Sequence, residues 1–135
     1  MTREEIFLAL ADFLIPAHKR MPKFSDVCTF ADAGTALDFR VDLKEGFADA
    51  LQIDLSAGPE AHLEEINRDR PAAFSAVTTI AVATYYMNPK VRALIGYPGQ
   101  ENVQYDPKAT QEYITDGSLG NVIARGRKYR PTPGL

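Results

Sequence analysis

Residues 71–87 read PAAFSAVTTIAVATYYM, and this stretch decides the fold. A helix formed here is apolar nearly all round, because its polar side chains are limited to Ser75, Thr78, Thr79 and Thr84. Helices of that kind are normally buried at the centre of a protein. The β-branched residues would also suit a strand, but the length of the run and its alanine content favour a helix. We therefore predict one long, centrally buried helix.

Capping signals predict three helices in the first half of the chain. Thr2-Arg3-Glu4-Glu5 is a capping box for a first helix, which ends at Pro16 because the residue before a proline avoids helical geometry. A second helix is predicted over residues 25–36. Asp42-Leu43-Lys44-Glu45 is another capping box and begins a third helix. Between the first two helices lies a basic loop that contains His18, Lys19, Arg20 and Lys23.

Proline and glycine mark the helices of the second half. Pro59 can occupy the first turn of a fourth helix, which directs Leu63 and Ile66 inward. Asn88-Pro89 begins a short helix after the central one, and Gly96 ends it. Further short helices are predicted at 109–115 and 119–124, and no segment alternates as a strand would. The chain is therefore predicted to be all-α, with a single small helical domain over residues 1–124 and an extended, basic, Pro-rich C-terminal arm over residues 125–135.

The composition indicates an ordinary globular chain whose charge is unevenly distributed. Its 135 residues suit one domain, and its 45% hydrophobic and 24% charged content is typical of globular proteins. Residues 1–70 carry a balance of −6 and residues 71–135 one of +3. The acidic remainder argues against nucleic acid as a partner of the basic arm. The single Cys28 excludes an intramolecular disulfide, and its apolar neighbours predict an inert buried thiol.

No targeting segment or membrane span is recognisable in the sequence. Two acids precede the first apolar run, Asp12 interrupts it, and a small-residue cleavage site is missing, so no secretory signal is predicted. No apolar run approaches the roughly 18 residues that a membrane-spanning helix needs. The chain as written is expected to be cytoplasmic.

Candidate catalytic groups are few and scattered. His62 is predicted on a solvated helix face among glutamates, and no metal-ligand spacing such as HExxH is present. Asp12 lies beside the apolar stripe of the first helix and is predicted to be a structural acid, bonded to the next loop or to an arginine. Neither a catalytic residue nor a metal site is predicted. The alternative is a standalone small helical enzyme in which His18, Asp12 and Tyr85 line one pocket.

All six tyrosines lie after residue 84, and most of the excess basic residues lie in the arm. Tyrosine and arginine are frequent anchors of protein interfaces. Tyr85 is favoured as a core residue, and one interpretation places Tyr86 in the core as well. We predict that the turn after Gly96 and the arm bind a partner protein. The predicted partner-binding residues are Tyr97, Pro98, Tyr105, Arg125, Arg127, Lys128, Tyr129 and Arg130.

Two segments resemble a known family. Residues 10–16, LADFLIP, resemble the opening of the small subunits of flavin-dependent, membrane-associated dehydrogenases, the gluconate 2-dehydrogenase small (gamma) subunit group, in which a leucine-rich helix ends at Ile-Pro. Residues 85–100, YYMNPKVRALIGYPGQ, are similar to that family's later block of Tyr-Tyr, Asp/Asn-Pro and Leu-Gly-Tyr-Pro-Gly. Residues 18–70 match only as helical segments.

The resemblance implies a small helical protein that binds a larger flavoprotein of the glucose–methanol–choline (GMC) oxidoreductase type. That partner carries FAD and oxidises a sugar or alcohol, whereas the small subunit supports its folding or export without catalytic residues or a cofactor of its own. Family members often begin with a twin-arginine export signal, which this chain lacks, so it is either a mature, periplasmic form or a cytoplasmic branch. A homo-oligomeric structural protein that exchanges its arms is a further alternative.

Overall fold

The computed structural model describes residues 1–52, 55–102, 104, 106–107, 109, 112–126 and 128. The chain divides into two compact units, Met1–Gly99 and Gln100–Leu135. The predicted all-α class is confirmed, because the described residues form helices and turns, with an isolated bridge between His18 and Met21 but no strand. The helices are α1 (Arg3–Leu14), α2 (Phe24–Val27), α3 (Phe30–Phe39), a 3₁₀ turn (Val41–Leu43), α4 (Lys44–Ala50), α5 (Pro59–Asp69), α6 (Pro71–Met87), α7 (Pro89–Ile95), α8 (Glu112–Thr115) and α9 (Gly120–Arg125).

Helix α6 is the predicted central helix of the first unit. Pro71 occupies its first turn, and the Asn88-Pro89 pair ends it and begins α7. Val77, Ile80 and Ala81 are fully buried along its length. It packs against each of the other helices of this unit, namely α1, α2, α3, α4, α5 and α7.

The first helix follows its sequence signals closely. The Thr2 hydroxyl accepts a hydrogen bond from the Glu5 backbone N–H, and the Glu5 carboxylate accepts one from the Thr2 N–H, as in a capping box. At the other end, Ile15 leaves helical geometry one residue before Pro16. The capping box and the proline therefore both act as predicted.

Two sequence predictions about the next helices are wrong. The helix predicted over residues 25–36 is broken into α2 and α3, because Thr29 opens a new helix through a capping box with Asp32. The predicted capping box at Asp42 does not form, since the Asp42 carboxylate instead accepts two hydrogen bonds from the Arg40 guanidinium, 2.8 and 3.0 Å long. Helix α4 consequently begins at Lys44 after one 3₁₀ turn, without a side-chain cap.

An aromatic cluster fills the core of the first unit. Phe7 of α1 is fully buried, and its ring centroid lies 5.4 Å from that of Phe24 and 5.2 Å from that of Phe47. The Phe7–Phe24 pair is edge-to-face, the arrangement that aromatic quadrupoles prefer. Phe7 of α1 therefore packs against both α2 and α4.

The second unit contains α8 and α9, and Gly126 follows α9 with a φ of +65°. Most of the arm predicted over residues 125–135 lies outside the described residues, so its extended form and its boundary after residue 124 stay predictions. Among the described residues, no helix is long and apolar enough to cross a bilayer.

Candidate functional site

Large apolar side chains remain exposed where α6 runs into α7. Their exposed fractions lie between 42% and 53%, although this unit already has a closed core. Val82 and Tyr86 are one helical turn apart and therefore share a face of α6. The set, called here the exposed apolar segment, consists of Val82, Tyr86, Met87, Ile95 and Tyr97. Helix α6 is central, as predicted, but one face of its C-terminal half meets solvent.

Hydrogen bonds at both ends of α7 fix the geometry of this segment. The Asn88 side-chain oxygen caps α7 by accepting the backbone N–H of Lys90 at 2.9 Å, while its amide donates to the Val27 carbonyl at 2.8 Å. At the other end Gly96 adopts the left-handed conformation, with a φ of +72°, and the Tyr97 N–H donates to the Arg92 carbonyl. Asn88 therefore links α7 to α2, and α7 ends at the Gly96 turn just before Tyr97.

The predicted partner-binding residues that the structure describes belong to both units. Tyr97 and Pro98 are exposed at the end of the first unit. In the second unit, Arg125 and Lys128 are exposed and line a shallow cavity of about 190 Å³ together with Val122 and Gly126. The other predicted residues, Tyr105, Arg127, Tyr129 and Arg130, lie outside the described residues.

Asp12 is a structural acid, as predicted. Its two carboxylate oxygens accept hydrogen bonds from the Ser25 backbone N–H at 2.8 Å and from the Ser25 hydroxyl at 2.7 Å. The ammonium group of Lys23 lies 3.4 Å from the same carboxylate. The carboxylate therefore connects α1 to the start of α2 and closes the loop between them.

Tyr85 also holds this loop. Its side chain is 2% exposed, and its hydroxyl donates a 2.7 Å hydrogen bond to the carbonyl of Pro22. Burial raises the pKa of the Tyr85 phenol, and the neighbouring Tyr86 adds to the rise. The enzyme alternative requires Asp12 and Tyr85 to face a substrate, whereas in the structure Asp12 accepts hydrogen bonds from Ser25 of α2 and Tyr85 donates one to Pro22 in the loop before it.

The prediction that His62 lies on a solvated helix face is wrong. His62 is only 3% exposed, and its Nε2 donates to the carbonyl of Ala50, 2.8 Å away, at the end of α4. It lies one turn before Ile66 and so shares the inner face of α5, while the flanking glutamates are exposed. Its Nδ1 is buried and has no hydrogen-bond partner among the described residues. Within the described part of the chain, no group of three His, Cys, Asp or Glu residues is arranged to hold a metal ion.

Cys28 is buried, as predicted, and its thiol donates a weak hydrogen bond to the Thr84 carbonyl at 3.7 Å. Burial raises the pKa of the thiol to about 11, and the Asp32 carboxylate contributes in the same direction. The reactive thiolate is therefore scarce at neutral pH.

This environment predicts slow alkylation of Cys28. At pH 8 we expect iodoacetamide to label the folded chain at least ~100-fold more slowly than the urea-unfolded chain, from the difference in thiolate fraction alone. Because the folded thiol keeps its proton above the pKa of the unfolded one, stability should fall as the pH rises above about 9. Mass spectrometry of timed aliquots measures the labelling, and equal rates in the two states would contradict the buried position.

Sequence reasoning did not find the groove between α4 and α6. It has a volume of about 880 Å³, and small residues such as Gly46, Ala72 and Ala76 form part of its lining. Beside them the Arg70 guanidinium pairs with the Asp49 carboxylate at 2.7 Å. The small residues suggest that two helices approach closely at this point. The sequence does not show that the two helices are α4 and α6, because their pairing is a tertiary contact.

The exposed apolar segment is the best-defined candidate site of the first unit, because its side chains are large and apolar and lie on or next to α6 and α7, which meet at the Asn88 cap. Aromatic and methionine side chains of this kind are enriched in protein interfaces. Comparison with known proteins adds no constraint on the partner: no family model, no curated protein and no solved structure matches this chain.

Proposed function

We propose that this chain is a non-catalytic small subunit that binds and stabilises a larger, FAD-dependent dehydrogenase of the GMC type. The observation that carries the proposal is the exposed apolar segment. A subunit of this kind needs exposed apolar side chains to bind its partner, and the segment between Val82 and Tyr97 contains five of them.

The energetic scale of such a surface is adequate for binding. An aromatic side chain buries 150–250 Å² in total, so covering the exposed half of Tyr86 or Tyr97 removes roughly 100 Å² from water. At about 25 cal/mol per Å² this contributes about 2.5 kcal/mol for each ring. Two such anchors, with Met87 and Ile95 beside them in the sequence, match the few central residues that dominate most interfaces.

The identity of the partner is proposed from the sequence resemblance. The family-like block, residues 85–100, overlaps the exposed apolar segment along most of its length. In the family that this block resembles, the small subunit binds a GMC-type flavoprotein, which carries the FAD and the catalytic residues. The proposed role for this chain is therefore to cover and stabilise an apolar surface of such a flavoprotein.

Co-expression with a candidate FAD-dependent dehydrogenase of the GMC type tests the proposal. A tag on the small chain should retain a yellow, flavin-containing complex, and replacing both Tyr86 and Tyr97 by serine should weaken the complex by ~100-fold or more. Tyr113→Ser is the matched control, since this tyrosine is 51% exposed but is not among the predicted partner-binding residues. Complete separation of the wild-type chain from the flavoprotein on size exclusion would refute the proposal.

Deletion of residues 125–135 tests the contribution of the predicted arm. The deletion should weaken the complex and leave the far-UV helicity of the free chain nearly unchanged, because Arg125, the last residue of α9, is the only described helical residue that it removes. Loss of helicity together with binding would mean that the arm belongs to the fold and not to the interface.

A further inference from the structure

The loop between α1 and α2 presents three consecutive basic residues to solvent. His18, Lys19 and Arg20 are all exposed. The His18 N–H donates to the Met21 carbonyl at 3.0 Å, and the Met21 N–H donates to the His18 carbonyl at 2.9 Å. This double hydrogen bond makes a tight two-residue turn with Lys19 and Arg20 at its tip, called here the basic turn (residues 18–21).

Lys19 is in a strained backbone conformation. Its φ is +54°, and among the described residues it is the only non-glycine with a positive φ. Glycine or asparagine would adopt this conformation at a lower cost, so a lysine at this position lowers the free energy of unfolding. Strain of this kind is often found where a side chain is needed for function.

Contacts at its base hold the basic turn in a fixed position. The Phe24 N–H donates to the Ile15 carbonyl, and Asp12 and Tyr85 bind Ser25 and Pro22 as described above. These bonds anchor both ends of the loop to α1 and α6. The positive charges at the tip are therefore presented by a preorganised support, which lowers the entropic cost of binding.

The charge of the surroundings indicates what the basic turn can bind. Residues 1–99 contain ten Lys and Arg against fourteen Asp and Glu, a balance of −4. Lys19 and Arg20 have no ion pair with any described residue, whereas Lys23 is paired with Asp12. A nucleic acid or an anionic membrane would meet the acidic body as well as the turn and be repelled by it. A compact cluster of carboxylates on a protein surface could pair with Lys19 and Arg20 without meeting the rest of the acidic body.

We propose that the basic turn docks on a carboxylate cluster of the partner protein, with Lys19 and Arg20 as the contact residues. The inference rests on the proposed function for the existence of that partner, and it adds a second, charged contact to the exposed apolar segment. Exposed charges of this kind chiefly accelerate and orient association, so the contact should be sensitive to salt.

Charge reversal tests the contact in the complex. Lys19→Glu combined with Arg20→Glu should weaken binding of the flavoprotein by about tenfold or more at low salt and by much less at high salt. Arg3→Glu combined with Lys44→Glu makes the same change in net charge and should have little effect. Both control residues are exposed and begin a helix, where a glutamate is compatible with the helix dipole. Equal binding by the two double variants would overturn the inference.

A second variant separates function from folding. Asparagine adopts a positive φ at a lower cost than lysine, so Lys19→Asn should raise the midpoint of thermal unfolding. Because it also removes a positive charge, it should weaken association with the partner. A merely structural role predicts that stability and binding change in the same direction. That result would also overturn the inference.

If the wild-type chain captures no flavoprotein, the proposed function fails, and the isolated chain then decides the inference. Poly-L-glutamate added at low salt should shift the backbone amide NMR signals of residues 18–21 in the wild type and not in the Lys19→Glu/Arg20→Glu variant. No shift would overturn the inference. An equal or larger response to phosphatidylglycerol vesicles or to single-stranded DNA would overturn the assignment to a protein partner.

Discussion

Replacing Tyr85 by alanine should lower the free energy of unfolding by about 3–5 kcal/mol. The ring is 2% exposed among the core residues of α6, so its removal leaves a cavity that the packed helices cannot close completely. The substitution also leaves the Pro22 carbonyl without its donor. Urea denaturation followed by far-UV circular dichroism measures the loss, which should appear as a lower midpoint with an unchanged slope.

Two further variants separate the contributions at this position. Tyr85→Phe keeps the ring and removes only the hydrogen bond to Pro22, so it should cost about 1 kcal/mol. Tyr86→Ala is the matched control, because the adjacent tyrosine is 50% exposed and its loss should stay within about 0.5 kcal/mol. Comparable losses for Tyr85→Ala and Tyr86→Ala would contradict the assignment of one ring to the core and the other to the surface.

The neighbouring tyrosines show where sequence analysis succeeds and where it stops. The ends of α6 were predictable because Pro71 and the Asn88-Pro89 pair act locally, whatever the helix packs against. The exposed face of α6 was not predictable, because a helix that is apolar nearly all round has no polar face from which its orientation could be deduced. The interpretation that placed both tyrosines in the core was therefore wrong for Tyr86 alone.

The wrong cap and the misplaced histidine have similar causes. Asp42 has the spacing of a capping box, but Arg40 lies two residues away and offers its carboxylate a bidentate partner. His62 is surrounded by glutamates in the sequence, yet the helical period places it on the same face as Ile66. In the first case a charged residue close in the sequence, and in the second the helical period, outweighed the pattern on which the prediction rested.

The candidate sites divide in the same way. The charges of the basic turn were visible in the sequence, but the hydrogen bond that anchors its loop joins Tyr85 to Pro22, 63 positions apart in the chain. Tyr97 was predicted as an interface residue and is exposed, whereas Val82 and Met87 were not singled out. The tyrosines in this region led us to expect an exposed apolar surface, and the packing of α6 determined which side chains are exposed.

Replacing Gly46 by valine should destabilise the first unit by about 2–3 kcal/mol. A Cβ atom at this position would lie 2.9 Å from the Ala72 carbonyl oxygen and 3.0 Å from the Ala76 Cβ. The first of these atoms belongs to the backbone of the central helix, which cannot yield without disturbing its other contacts. Helix α4 would therefore have to move away from α6, and the strain should exceed the gain in helix propensity, which is below 1 kcal/mol.

Gly34→Val is the matched control for this substitution. Gly34 lies inside α3, and a Cβ atom there would have no described atom within 4 Å beyond its own helix backbone and chain neighbours. The change should therefore be neutral or stabilise the chain by up to about 0.5 kcal/mol, because valine has a higher helix propensity than glycine. Denaturation midpoints of the two variants, measured side by side, isolate the contact between α4 and α6. If both valines cost the same, the loss at Gly46 comes from the residue type, and the close approach to Ala72 is not what makes glycine necessary there.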